Sequence, residues 1–362
     1  MISTFEKRIN AVRGVLQNDD EAAVITNEVN IGYFTDFFHS EGLLLITAGK
    51  AVLLVDFRYH EAASEKAKGC EVVCFSRLGE ELSKLLSDNG VANVIFEAEN
   101  MTYARYDSFK TKFAEHGIDC VCSKKLDQAI ADSRVIKYKS ELDKIITAQK
   151  IAEKSYLDVL NFIRPGRTER EIAARLQYMM RLNGAEDVSF SLITITGTKT
   201  SLPHGVPGSE AIQEGDFFTC DFGAMYEGYH SDTTRTVAVG SVTEEMREVY
   251  DIVLRAQLAA LNVIKPGVKC SDVDRAARTV IERAGYGKYF GHSTGHGVGL
   301  DIHEAPAVSS RCDTELKLGM VITDEPGIYL PGKFGVRIED MLSVTDDGFC
   351  NFVSLPKELV VL

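Results

Sequence analysis

Three of the eight histidines in this chain lie within one short glycine-rich segment, HSTGHGVGLDIHE, which begins at His292. The interleaved glycines interrupt both the helical and the strand periodicity that would otherwise relate His292, His296 and His303. Glycine lets the main chain pass close to a bound group, and imidazole is a common metal ligand. The segment therefore predicts a binding site whose backbone lies close to its ligand.

Two acidic residues are predicted to face each other in a hairpin formed by FFTCDFGAMYEGYHSDTTRTVAV. Apolar and β-branched residues flank the turn-like Tyr226-Glu227-Gly228. Opposed residues of a hairpin have a constant sum of residue numbers, and a centre between Tyr226 and Glu227 pairs Asp221 with Asp232. Their Cβ atoms would lie about 5 Å apart on one face.

A second acidic pair is predicted in MVITDEPGIYLPGKFGVRIEDML, where a turn centred on Gly332 sets Glu325 opposite Glu339. Like charges directly opposed destabilise a sheet, so two such pairs indicate a cation. A single acidic residue usually lies on a solvated face. Four carboxylates and one histidine suit manganese, cobalt, iron or zinc. They suffice for two ions about 3.5–4 Å apart, bridged by shared carboxylates and a hydroxide.

The elements that position these residues form a repeat over the last two thirds of the chain. Pro165-Gly166 and Pro266-Gly267 each end one helix and precede another, which begins with the capping box Thr168–Glu171 in one copy and with a cap at Ser271 in the other. The acidic residues and His204 recur at offsets of 99 to 107 residues. These offsets favour two copies of one α/β unit packed face to face.

The first third of the chain alternates short apolar runs with amphipathic stretches, which predicts a small sheet flanked by helices. No glycine-rich phosphate loop joins a strand to a helix there. A long helix follows and ends at Arg164-Pro165-Gly166. The organisation predicted is a domain over residues 1–124 and a second over residues 125–362. The predicted strands are 23–26, 42–46, 51–55, 72–75 and 91–96, and the predicted helices are 59–68, 80–87 and 103–116.

Composition excludes several classes of protein. The 362 residues are 45% hydrophobic and 26% charged, as in an ordinary globular protein, and the net charge of −13 argues against nucleic-acid binding. No apolar run is long enough for a membrane span, and the N-terminus lacks the apolar core of a signal peptide. Eight cysteines without Cys-x-x-Cys spacing indicate reduced thiols, so a cytoplasmic location is expected.

The segments DFGAMYEGYHSDTTRT, TGHGVGLDIHE, DEPGIYLPG and GVRIED together resemble the dinuclear metallopeptidases of the pita-bread fold. That group includes methionine aminopeptidase, aminopeptidase P and prolidase, and the resemblance covers about residues 125–362. NIGYFTDFFHSEGLLLIT and DFRYHEAA resemble the domain that precedes the catalytic half in aminopeptidase P and prolidase. The resemblance implies an α/β (α+β) protein, in which a creatinase-like N-terminal domain precedes a pseudo-two-fold pita-bread catalytic domain.

The resemblance also implies a role for each site residue. His204, His303 and Glu325 would be catalytic, and substrate would contact His204, His292, His303 and Arg337. Arg337 could also orient Glu339. His39, His60, His116 and His230 are interpreted as structural or surface groups. The metal ligands implied are Asp221, Asp232, His296, Glu325 and Glu339.

The activity implied is that of an Xaa-Pro aminopeptidase that uses two divalent ions, with manganese expected before cobalt or zinc. Its substrates would be peptides with proline at the second position, and a homodimer is expected. Xaa-Pro dipeptidase (prolidase) is the alternative. Several prolidases carry an arginine where this chain has Ala307, although Arg311 or a partner subunit could supply that charge. A creatinase-like hydrolase without metal and a non-enzymatic binding protein are disfavoured, because all five ligand positions are filled.

Overall fold

The structure, a computed structural model, describes residues 3–38 and 40–362. It contains two compact units, Met1–Arg134 and Val135–Leu362. The helix that spans Lys124–Val135 therefore belongs almost entirely to the first unit. A domain boundary between residues 124 and 125 stays a prediction.

The helices and strands of the described residues follow in chain order. The first unit has helices α1 Thr4–Arg13, α2 Glu28–Thr35, α3 Phe57–Lys66, α4 Leu78–Asp88, α5 Tyr103–Ala114 and α6 Lys124–Val135. Its strands are β1 Glu21–Ile25, β2 Leu43–Thr47, β3 Ala51–Val55, β4 Glu71–Cys74, β5 Asn93–Phe96 and β6 Asp119–Cys122. The second unit has helices α7 Lys139–Leu160, α8 Glu169–Leu182, α9 Glu244–Leu261 and α10 Cys270–Arg283, with 3-10 turns at Gly197–Ser201 and Gly287–Tyr289. Its strands are β7 Asp187–Val188, β8 Ile193–Thr196, β9 Phe217–Phe222, β10 Ala224–Tyr226, β11 Tyr229–His230, β12 Thr233–Ala238, β13 Gly295–Gly297, β14 Glu304–Val308, β15 Val321–Asp324, β16 Gly327–Leu330, β17 Phe334–Arg337, β18 Asp340–Val344 and β19 Phe349–Asn351.

The first unit is a six-stranded sheet in the order β4-β3-β2-β1-β5-β6, flanked by helices as predicted. The five predicted strands and three predicted helices are present within a few residues of their expected bounds. Stacked rings of Phe96, Phe109 and Phe113 lie in its core. Sequence patterns missed α1, α2, α6 and β6. Helix α2 is buried along most of its length and so shows no amphipathic period.

The second unit confirms the predicted repeat. Helix α8 begins 101 residues before α10, and β9 begins 104 residues before β15. Gly166 and Gly267 occupy matching turns with φ of 87° and 82°, a region that favours glycine. The capping box of Thr168 and Glu171 is present.

The cap predicted at Ser271 is wrong. Helix α10 begins at Cys270, its N-cap is Lys269, and that cap makes no side-chain hydrogen bond. The N–H groups of Cys270 and Ser271 instead donate to carbonyl oxygens of the loop that follows β14, at Thr314 and Cys312. Tertiary contacts thus satisfy the first N–H groups of this helix.

The first hairpin has a different register from the predicted one. Asp221 pairs with Thr234, and Met225 pairs with His230, so the ladder is centred between Glu227 and Gly228. Both turn residues have positive φ, 46° and 77°, as a two-residue hairpin turn requires. Asp221 and Asp232 are therefore not directly opposed. The shift is two residues, however, and an even shift leaves a side chain on its original face.

The second hairpin has the predicted register. Gly327 pairs with Arg337 in the β16–β17 ladder, and Asp324 pairs with Asp340 in the β15–β18 ladder. Glu325 and Glu339 lie between these two ladders, and their residue numbers have the same sum as those of the paired residues. They are therefore opposed in register, as predicted. The turn contains Gly332 with φ of 74°. Among the described residues, no helix has the length and apolar character needed to span a membrane.

Candidate active site

All nine residues implied as site residues line one cavity of about 560 Å³ in the second unit. Such a volume is typical of a site for a small ligand. The nine residues are His204, Asp221, Asp232, His292, His296, His303, Glu325, Arg337 and Glu339.

Three of these side chains form a compact ligand group. One ligand atom each from Asp232, His296 and Glu339 lie within 4.8 Å of one another. His296 Nε2 lies 3.5 Å from Asp232 Oδ2 and 3.5 Å from Glu325 Oε1. Four of the five implied ligands thus surround the same small volume.

Strand ends and close backbone packing position these groups. Asp221 lies on β9, Asp232 precedes β12, and Glu325 and Glu339 lie between β15 and β18. His296 is the central residue of β13. Its neighbours must be glycines, because a Cβ atom at Gly295 or Gly297 would lie 2.1 Å or 2.3 Å from a backbone oxygen of an adjacent strand.

Burial and mutual repulsion perturb the titration of the acidic groups. Burial, together with the neighbouring carboxylates, raises the pKa of Asp232 and Glu339 well above the usual range. Burial raises the pKa of Glu325 to about 8. Burial lowers the pKa of His296 to about 4, so its imidazole is neutral at pH 7. A neutral imidazole beside clustered carboxylates is the protonation state that metal binding needs.

The donor set fits divalent ions. Asp221 Oδ1 is buried and accepts no hydrogen bond from the described residues. A buried, unsatisfied carboxylate oxygen is costly, and a cation would satisfy it. Hard oxygen donors with one imidazole match the ligands of first-row divalent metals.

Arg337 is buried and binds Asp221 rather than Glu339. Its Nη2 donates to Asp221 Oδ2 at 2.6 Å, and its Nη1 donates to Tyr329 Oη at 2.8 Å. Its Nε donates to Thr234 Oγ1 at 3.0 Å, and that hydroxyl donates to Glu339 Oε2 at 2.7 Å. The predicted influence of Arg337 on Glu339 is therefore indirect and passes through Thr234.

The other cavity histidines differ in their surroundings. His292 Nε2 lies 2.9 Å from Tyr329 Oη, and burial lowers the pKa of His292 to about 4. The ring of His303 lies 4.4 Å from that of His296, centroid to centroid. His204 is exposed on the cavity wall. The sequence interpretation missed Tyr329 and Thr234, although both lie within segments that carry the resemblance.

The remaining described histidines lie outside this cavity. His60 and His116 belong to α3 and to the end of the α5 region in the first unit. His230 lies on β11, and burial lowers its pKa. His39 lies outside the described residues.

Comparison with known proteins identifies the family. The profile of metallopeptidase family M24 matches residues 143–346, and that of the Creatinase/Prolidase N-terminal domain matches residues 8–150. The chain is 38% identical over 356 residues to an Xaa-Pro dipeptidase of Pyrococcus furiosus, which covers 98% of this chain and 99% of that protein.

Two solved structures are similar over nearly the whole chain. An Xaa-Pro dipeptidase from Bacillus anthracis has a TM-score of 0.94 and 40% identity, covering 99% of this chain and all of that one. An X-Pro aminopeptidase from Thermotoga maritima has a TM-score of 0.91 and 35% identity, covering 97% and 99%. This chain belongs to metallopeptidase family M24, in its aminopeptidase P/prolidase branch, with a creatinase-type N-terminal domain before a pita-bread catalytic domain.

Proposed function

We propose that this enzyme is a metal-dependent Xaa-Pro dipeptidase. One observation supports the chemistry above all others: the implied ligands, three further histidines and a buried arginine all line one cavity. The names of the relatives support the choice of substrate. Proteins named Xaa-Pro dipeptidase from Pyrococcus furiosus and Bacillus anthracis match this chain over almost its entire length.

Two divalent ions, with manganese expected first, would be held by the acidic and imidazole groups of the cavity. We assign one ion to Asp232, His296, Glu325 and Glu339, and the other to Asp221, Asp232 and Glu339. Bound there, the ions would lower the pKa of a water molecule towards neutrality and polarise the carbonyl of the scissile bond. Arg337 would hold Asp221 in place through their buried ion pair.

Glu325 and His303 are the groups proposed to move and place protons. Glu325 lines the cavity beside His296, with Oε1 3.5 Å from Nε2, and as a carboxylate it would accept a proton from the attacking water. His303 is next to His296 and reaches the same cavity, where its N–H can donate to the developing oxyanion.

The cavity wall favours a proline-containing substrate. Phe190, Leu192, Ile193, Val206 and Ile302 provide an apolar lining beside the charged cluster. A peptide bond to proline has no N–H group and carries a bulky ring. An apolar wall of this kind can pack against the proline ring.

The length of the substrate separates dipeptidase from aminopeptidase. A dipeptide places a free carboxylate beside the proline ring, which needs a cation or hydrogen-bond donors. Arg311 is not among the described residues that line the cavity, and the guanidinium of Arg337 already donates to four groups. We assign reception of that carboxylate to His204, which is exposed on the cavity wall.

Xaa-Pro aminopeptidase is retained as a second candidate because of Ala307. This residue lines the cavity from β14, where an arginine would restrict the space beyond proline. The open space is compatible with a longer peptide, and a relative from Thermotoga maritima is named X-Pro aminopeptidase. The relatives named dipeptidase nevertheless favour the shorter substrate.

The proposed chemistry is tested by metal depletion and reconstitution. Chelator-treated protein should be inactive towards Leu-Pro, and added manganese should restore hydrolysis while Leu-Ala remains uncleaved. Equal cleavage of Leu-Ala would contradict proline specificity, and full activity after complete metal removal would contradict the metal mechanism.

A homodimer and a cytoplasmic location are also part of the proposal. Light scattering after size-exclusion chromatography should give twice the chain mass of 39.9 kDa. A monomeric mass at enzyme concentrations used for assay would contradict the dimer.

A further inference from the structure

The centre of the loop that carries His204 is largely exposed, whereas Thr200 near its base is buried. We define the His204 loop as residues 199–208, which begins inside the 3-10 turn that follows β8 and ends at Gly208. Leu202 and Val206 are 53% and 76% exposed on either side of His204. Arg337 Nη1 donates to Pro203 O at 3.3 Å, Gly205 lies against Ile195, and Thr200 Oγ1 accepts from Gly335 N at 2.9 Å. The position of His204 therefore depends on how the base of the loop is held.

One buried carboxylate bonds to both ends of this base, and the backbone N–H of Arg170 also donates to Gly208 O. Glu169, the first residue of α8, is 0% exposed. Its Oε1 accepts from Thr196 N at 2.9 Å, before the loop. Its Oε2 accepts from Gly208 N at 2.7 Å, at the end of the loop, and from Lys199 Nζ at 2.7 Å. One side chain thus joins the two ends.

Capping of the helix does not explain the burial of this carboxylate. Thr168 caps α8, and its partner in the capping box is Glu171. Glu169 therefore leaves the cap intact while it accepts three hydrogen bonds from the loop base. Charge-assisted hydrogen bonds of this kind are stronger and shorter than neutral ones. An amide in place of the carboxylate would set its NH2 group against a backbone N–H or the Lys199 ammonium, donor facing donor.

Lys199 has a second acidic partner, which provides a matched control. Glu210 Oε2 accepts from Lys199 Nζ at 3.1 Å, and its side chain is 55% exposed. The carboxylate of Glu210 does not accept from Thr196 N or Gly208 N, whose acceptor is Glu169. Removing its charge weakens the hold on Lys199 without opening the base of the loop.

We propose that Glu169 is a positioning residue that clamps the His204 loop and so places His204 in the cavity. This inference rests on the proposed function, in which His204 contacts the substrate. Loss of the clamp would remove the hydrogen bonds of Thr196 N and Gly208 N together and loosen the base of the loop, which would retain the β8–β9 pairing and the bond from Arg170 N to Gly208 O. His204 would then occupy its place for a smaller fraction of the time, so the loss should appear mainly in KM.

The test compares Glu169→Gln with Glu210→Gln in the manganese-loaded enzyme. Amide hydrogen exchange over residues 196–208 should accelerate about tenfold or more in Glu169→Gln and stay near the wild-type rate in Glu210→Gln. Exchange equal to wild type in Glu169→Gln would overturn the proposal. This readout needs no substrate, so it separates failure of the clamp from failure of the proposed function.

Kinetics show whether the clamp acts through His204. Glu169→Gln should raise KM for Leu-Pro about tenfold with a smaller change in kcat, while the bound manganese is unchanged. In a His204→Ala background the same substitution should alter kcat/KM less than about twofold, because coupled residues are not additive. If the losses in kcat/KM caused by Glu169→Gln and His204→Ala were fully additive, Glu169 would act independently of His204, and the proposal would be overturned.

A second variant keeps the test valid if Glu169→Gln fails to fold. Glu169→Asp preserves the negative charge but shortens the side chain by one methylene, so it cannot hold both ends of the loop. Exchange over residues 196–208 should again accelerate, and unchanged protection in a folded Glu169→Asp enzyme would overturn the proposal.

Discussion

Arg337 and Asp221 form a buried ion pair, with Nη2 2.6 Å from Oδ2 and side chains only 5% and 13% exposed. The pair joins β17 to β9 and so links the two halves of the repeat at the cavity. Because the same guanidinium also donates to Thr234 and Tyr329, it fixes groups around the proposed metal ligands as well as Asp221 itself.

Replacing Arg337 with methionine should destabilise the metal-free protein by about 3–5 kcal/mol, because an acidic partner is left buried without its counter-charge. Urea unfolding of chelator-treated protein measures this loss. Arg311→Met removes an exposed arginine and should change the free energy of unfolding by no more than about 0.5 kcal/mol. Equal stability of the two variants would contradict a structural role for the buried pair.

Asp232→Asn should abolish activity and reduce bound metal while the protein stays folded. The metal-free variant should be at least as stable as metal-free wild type, because an amide removes a charge that burial and neighbouring carboxylates disfavour. Added manganese should raise the melting temperature of wild type but not of the variant. Metal analysis and thermal unfolding check both points, and a fully active variant with two bound ions would contradict the assignment.

The metal-free protein should lose stability as pH rises from 7 to 8. The pKa of Glu325 is raised by burial to about 8 in the folded state, against about 4.3 when unfolded. The folded state therefore binds more protons across this interval, and the free energy of unfolding falls with pH. The raised pKa values of Asp232 and Glu339 act in the same direction.

The buried histidines act oppositely at lower pH. Because the pKa values of His292 and His296 are lowered to about 4, their contribution increases stability as pH rises towards 6.5 and ends there. Denaturant unfolding at pH 7.0, 7.5 and 8.0 therefore isolates the carboxyl groups. Glu325→Gln should reduce the slope, and an identical slope in the variant would show that Glu325 does not titrate in this interval.

His303→Ala and His296→Ala should separate catalysis from metal binding. His303→Ala should keep nearly all its metal and lose about 10²-fold or more in kcat, as expected when an oxyanion donor is removed. His296→Ala should lose metal first, because its ring lies among the carboxylates. Metal content and turnover are measured on the same preparations. A metal-depleted His303→Ala enzyme would show that His303 binds metal, contrary to the assignment.

Local patterns predicted the second hairpin better than the first. The Pro331-Gly332 turn marks its centre, and the ladder of Gly327 and Arg337 follows that centre. In the first hairpin the turn consists of Glu227 and Gly228, so its centre lies one residue after the predicted centre between Tyr226 and Glu227. Each residue therefore pairs with a partner two positions later than predicted. Because the shift is even, Asp221 and Asp232 stay on one face of the hairpin as predicted, although their direct opposition was wrong.

Contacts between distant segments could not be predicted from spacing. Arg337 and Asp221 are 116 residues apart, and Glu169 lies 39 residues from Gly208. No periodic or turn signal relates such positions. Thr234 and Tyr329 lay within the segments that carry the resemblance, but only the folded geometry shows that they join Arg337 to Glu339 and His292.

The choice between dipeptidase and aminopeptidase is tested most directly by the length of peptide that is cleaved. The measurement is kcat/KM of the manganese-loaded enzyme for Leu-Pro against Leu-Pro-Ala and a longer peptide with the same first two residues. The dipeptidase account predicts that Leu-Pro is preferred by about tenfold or more, because only the dipeptide places its carboxylate within reach of His204. Faster cleavage of the tripeptide and the longer peptide would contradict the account and establish the aminopeptidase in its place.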